Sequence, residues 1–107
     1  VSAISSPTEA ATGNDACLHQ LMSSTADVVR DCLQYTAPGD SILLLDTAVV
    51  LLLDPGWMRD LPSGVSVFAS RPDADARALA GGMQCDCLDD KEWAALVCRH
   101  AHCLSWK

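Results

Sequence analysis

Residues Ile42 to Leu53 form an aliphatic run interrupted only by Asp46 and Thr47, and this run restricts the fold more than any other part of the sequence. A membrane span needs about 20 consecutive apolar residues. Twelve positions, two of them polar, fall well short and belong in a protein core. Ile42 to Leu45 is of strand length and does not alternate, which is the pattern of a strand covered on both faces by helices in a parallel sheet. Periodicity alone does not assign Thr47 to Leu53, but Thr47 offers a cap and Asp54-Pro55-Gly56 a stop, so a short buried helix is expected there.

The flanking sequence supplies elements that fit such a sheet. Cys17 to Leu21 reads as a first strand. Ser24 and Asp27 have the spacing of a capping box, and Val28, Val29, Cys32 and Leu33 recur at helical spacing before Pro38-Gly39, giving an amphipathic helix. A possible helical turn over Trp57 to Leu61 precedes Pro62-Ser63-Gly64, and the β-branched and aromatic run Val65 to Ala69 reads as a third strand. Pro72 at a first helical position, Asp73 and Asp75 in the opening turn and Gly81-Gly82 after Ala80 delimit another helix. Gln84 to Leu88 reads as a fourth strand. Asp89 and Glu92 form a second capping-box spacing ahead of Trp93, Leu96 and Val97, in a helix ending near His100. His102 to Trp106 alternates and is expected to close the sheet edge as a fifth strand. Strands and helices alternate throughout, which implies an α/β three-layer sandwich with a mostly parallel five-stranded sheet and helices on both faces. Val1 to Ala16, rich in Ser, Thr, Ala and Gly without apolar period, is expected to be a flexible extension, leaving 17–107 as a single domain.

Charge and cysteine usage narrow the function. Seven basic against fourteen acidic residues give a formal charge of −7, which disfavours direct binding to nucleic acid or anionic lipid. No basic segment followed by an apolar one opens the sequence, so a cytoplasmic location is expected. Six cysteines are present, but a chain this aliphatic folds without a disulfide framework, and reduced thiols are expected.

Few constellations suggest chemistry. Cys98, His100, His102 and Cys103 are zinc-ligand types at poor spacing, and His102 and Cys103 fall on opposite faces of a strand, so packing is expected over metal binding. Cys85 and Cys87 share a strand face at a separation too long for a relaxed disulfide and read as core. Cys32 lies on the apolar stripe of the first helix, without a visible cation to lower its pKa. Asp46 stands at the carboxyl edge of a central strand, where open α/β sheets bind ligands, although a capping or solvated role is favoured. His19 has no acidic or thiol partner nearby in sequence and reads as structural. Trp93 and Trp106 read as core or interface anchors. Phosphate-binding glycine loops and a G-x-S-x-G elbow are absent from the sequence.

Cys17-Leu18-His19, the stretch Pro38-Gly39-Asp40-Ser41-Ile42-Leu43-Leu44-Leu45-Asp46, then Val65-Ser66-Val67-Phe68-Ala69 and finally Leu104-Ser105-Trp106 together resemble the TusB/DsrH family of sulfur-relay subunits. The resemblance covers Ala16 to Lys107 and rests on the order and spacing of these segments. It implies a DsrE/DsrF-like fold and a heterohexamer with TusC/DsrF-like and TusD/DsrE-like subunits, passing persulfide sulfur to a TusE/DsrC-like acceptor. In the TusB branch the relay serves 2-thiouridine formation at the tRNA wobble position, and in the DsrH branch dissimilatory sulfur oxidation. The catalytic cysteine of such complexes belongs to the TusD or DsrE sister, just after its third strand, where this chain has Ser70-Arg71-Pro72. A non-catalytic subunit without a cofactor is therefore expected. Some DsrH-type chains carry a cysteine in the first helix, which makes Cys32 a candidate accessory thiol. The competing classes are a thiol enzyme holding persulfide on Cys32 and a metal-binding module.

Overall fold

A computed structural model describes residues 16–79 and 86–107. Among the described residues ten elements follow one another: β1 (Cys17–Leu21), α1 (Ala26–Tyr35), β2 (Ser41–Leu44), a 3₁₀ segment (Asp46–Leu53), a second one (Pro55–Asp60), β3 (Ser66–Ser70), α2 (Arg71–Ala76), β4 (Asp86–Leu88), α3 (Asp90–Cys98) and β5 (His102–Trp106). The strands form one five-stranded sheet in the order β4-β3-β2-β1-β5, and every pairing is parallel. From β1 the chain adds strands outward to β4, then crosses back to place β5 on the free side of β1.

The uninterrupted aliphatic run does what a strand buried on both faces requires. Ile42 and Leu44 of β2 face one cluster, with Leu21, Ala69 and Trp106, beneath Val29 and Cys32 of α1 and Ala48 and Val49 of the first 3₁₀ segment. Leu43 and Leu45 face the other, with Leu18 and Leu88, beneath Leu96 of α3, and Phe68, Trp93 and Val97 pack around them. Each fully buried Leu contributes about 1.5–3 kcal/mol relative to exposure, and this strand contributes such residues to both layers. Helices on both faces make the expected three-layer α/β sandwich.

Several local expectations are corrected. α1 begins after Thr25, which makes no side-chain cap; Ser23 Oγ accepts the Thr25 N–H instead, so the Ser24–Asp27 capping box does not form. The run 47–53 is a 3₁₀ helix entered from Leu45, not capped by Thr47, whose hydroxyl donates to the Met22 carbonyl. Only Ala48 and Val49 of it are buried, and Leu53 is 71% exposed. In α2, Pro72 follows Arg71 rather than leading. That helix also stops early: Ala78 takes φ 55°, with its N–H on the Asp75 carbonyl at 3.0 Å and the Leu79 N–H on the Ala74 carbonyl at 2.8 Å. This is a Schellman stop, built on alanine where glycine is usual. Gly81-Gly82, the expected stop, lie outside the described residues, as do Gln84, Cys85 and the expected extension before Ala16. By contrast, Asp89 and Glu92 form both halves of a capping box on α3. That helix ends at Cys98, two residues before the expected His100.

Candidate functional site

Pro38-Gly39 turns the chain from α1 into β2. The Asp40 N–H closes the turn on the Ala37 carbonyl at 3.0 Å, and Gly39 sits at φ 93°, where a side chain is strained. Buried at the end of this turn, the Asp40 carboxylate accepts the Cys17 N–H at 3.1 Å and the Ala37 N–H at 3.0 Å. His19, 1% exposed in the middle of β1, places Nε2 3.0 Å from Asp40 Oδ2. On its other side the indole Nε1–H of Trp106 donates to His19 Nδ1 at 3.1 Å. An indole nitrogen only donates, so Nδ1 is the acceptor and Nε2 carries the hydrogen given to Asp40. The triad thus has one consistent direction, Trp106 to His19 to Asp40, and links β1, the start of β2 and β5.

This arrangement resembles a general-base pair in composition but not in access. With both ring nitrogens engaged and the imidazole buried, His19 is a structural histidine, as the sequence led us to expect. Its acidic partner was missed because Asp40 lies 21 positions away and the pairing is set by sheet register. The available signal was Asp40 itself, a carboxylate directly ahead of a buried strand, since buried charges are paired. His100 is fixed in the same manner: Nδ1–H donates to the Leu96 carbonyl at 2.8 Å, and in the neutral ring Nε2 accepts from the Ser41 hydroxyl at 2.9 Å. Both ring nitrogens of His100 are thereby engaged within the fold. Among the described residues no group of three or more His, Cys, Asp or Glu side chains converges on a metal position. Cys98 and Cys103 are exposed rather than packed as expected.

At the carboxyl edge of the sheet, Ser70 is buried and its Oγ accepts the Asp73 N–H at 3.4 Å, capping α2. Asp46, at φ 52°, gives its N–H to Asp73 Oδ2 at 2.8 Å and pairs through Oδ1 with Arg77 Nη2 at 3.2 Å. The Arg71 guanidinium donates to the Cys87 carbonyl at 3.1 Å. Asp46 is therefore a solvated ion-pair partner holding α2 against the first 3₁₀ segment. The last residue of β3 thus presents a hydroxyl used as the cap of the following helix.

The thiols divide by depth. Burial first, and then the Asp40 charge, pushes Cys17 up to about 12. Burial pushes Cys32 up to about 11, with the Thr36 hydroxyl acting the other way. The thiolate is the reactive form, and a thiol at 11 is about one part in ten thousand ionised at pH 7. Cys32 is also fully buried under α1, so sulfur transfer at this atom requires α1 to move. Cys87 is half-buried beside the first cluster, in keeping with packing. Trp93 is half-buried against the second cluster and Trp106 lies in the first.

An all-parallel sheet between two helical layers, with a buried polar network joining β1, the start of β2 and β5, defines a three-layer α/β protein. The sequence matches the family model described as DsrH like protein over residues 22–103, and the chain belongs to the DsrH-like family. That family is one of sulfur-relay subunits, which act together with partner subunits. Comparison with curated proteins gives no match.

Proposed function

We propose that the chain is a non-catalytic subunit of a cytoplasmic sulfurtransferase complex that passes persulfide sulfur toward 2-thiouridine synthesis at the tRNA wobble position. TusC/DsrF-like and TusD/DsrE-like subunits complete this heterohexamer, and a TusE/DsrC-like protein accepts the sulfur. The observation that carries the reading is the carboxyl end of β3. Where the resemblance puts the sister's cysteine, this chain has Ser70, buried and engaged as the cap of α2. The deeply buried Cys17 and Cys32, both held protonated at neutral pH, support a structural role for the inner thiols.

Co-expression with TusC- and TusD-like subunits followed by size-exclusion chromatography tests this. The expected outcome is a single complex containing all three chains; elution of this chain alone at every concentration overturns the proposal. Pull-down of the complex then separates the branches. Recovery of a tRNA thiolase supports the TusB-like role, and recovery of a sulfite reductase system replaces it with the DsrH-like role in sulfur oxidation.

A further inference from the structure

The buried triad that joins β1, β2 and β5 contains a group whose part in it depends on its proton. Trp106 donates to His19 only while Nδ1 is bare. A proton at Nδ1 makes the imidazole a donor on both sides, and the indole N–H then faces another donor with nothing there to accept it. Histidine is the side chain that ordinarily gains its charge between about pH 5 and pH 8.

The neighbours decide where an added proton goes. Asp40 accepts the Cys17 N–H, the Ala37 N–H and the Nε2–H of His19, so a proton on its carboxyl would meet donors alone. The first two of these are backbone groups, held by the start of β1 and by the turn before β2. The Trp106 indole is instead a side chain on the edge strand β5 and can turn away. An imidazolium also keeps the Asp40 carboxylate 3.0 Å from Nε2, the pairing that a buried charge requires. Other titratable groups face this side of the sheet. Cys17 lies on β1 two residues before His19, and His102 of β5 is its register partner. From α1 come Cys32 and Tyr35, whose ring contacts Trp106. Both thiols stay protonated at acid and neutral pH, so neither adds a charge beside the ring in that range.

We infer that the contact between Trp106 and His19 is an acid-operated latch: uptake of one proton by His19 releases the Trp106 side chain and loosens β5 from β1. The inference does not depend on the sulfur-relay reading. The open form binds one proton more than the closed form, so the ratio of open to closed rises by up to about tenfold for each pH unit of acidification. Proton and nitrogen NMR on the full chain between about pH 8 and about pH 5 tests this. Trp106→Phe identifies the Trp106 indole among the three tryptophans. On acidification that indole N–H resonance is expected to move from a hydrogen-bonded to a solvated position, in step with protonation of His19 Nδ1. His19→Gln offers an amide oxygen to the indole and an N–H to Asp40 without titrating, and is expected to hold the resonance in place down to about pH 5. His102→Gln is expected to leave the transition of the unsubstituted chain where it is. An indole that stays bonded while His19 takes its proton overturns the inference, and so does one still bonded at about pH 5 beside a His19 that never titrates; neither reading needs a variant to fold. The same transition in His19→Gln overturns it as well, by assigning the proton to another group.

Discussion

Ala78 occupies a left-handed conformation, φ 55°, that costs an L-residue roughly 1 kcal/mol relative to glycine. It persists because two backbone hydrogen bonds, to Asp75 and Ala74, close the end of α2 there, and Arg77 must sit where it reaches Asp46. Ala78→Gly is therefore expected to stabilise the protein by about 0.5–1 kcal/mol, less what glycine adds to the disorder of the unfolded chain. A higher urea midpoint at constant m is the sign to look for; a lower one would mean that the turn is not strained. At this scale the sequence was legible where partners are close along the chain. Asp89 and Glu92 capped α3 as their spacing implied. Ser24 and Asp27 have the same spacing but failed, because Ser23 had already met the Thr25 N–H and moved the helix start. His19 and Asp40 were illegible as a pair, since only folding brings them together.

At the scale of elements, β5 is tied to the core by a buried polar contact. It lies at the sheet edge, paired only with β1, and its inward Trp106 carries the indole bond to His19 as well as a ring contact with Tyr35 at 5.3 Å. Trp106→Phe keeps most of the apolar volume but leaves the buried His19 Nδ1 without its indole donor. The expected loss is about 1–3 kcal/mol, read by urea unfolding, with an unchanged midpoint counting against the triad. Five strands and their alternation with helices were legible from apolar runs and punctuation. The exposure of the first 3₁₀ segment was not. Hydrophobicity reports what can be buried, while a three-residue turn of helix leaves part of an apolar run facing outward whatever its composition.

Across the whole molecule, two buried thiols couple stability to alkaline pH. Cys17 and Cys32 are raised from an ordinary value of 9.0 to about 12 and about 11. Below 9 both states hold these protons and the coupling is silent. Between 9 and the folded values the unfolded chain releases protons that the native chain keeps, so stability falls as pH rises, at up to about 1.4 kcal/mol per pH unit for each thiol. Urea midpoints at about pH 8 and about pH 10 should show this fall, and Cys32→Ala should make it shallower. An identical slope in the variant would place the effect elsewhere.

The return of the chain from β4 to the far side of β1 has a consequence for how the protein is made. Trp106 meets His19 across 87 positions, so one half of the pairing surface of β1 is completed only by β5, synthesised after the other four strands of the sheet. Until then a nascent chain exposes an open strand edge, with Leu21 lacking its cover, the condition under which strands pair with the wrong neighbour. Synthesis that stalls between β4 and Trp106 is the point at which this protein is most exposed to misassembly.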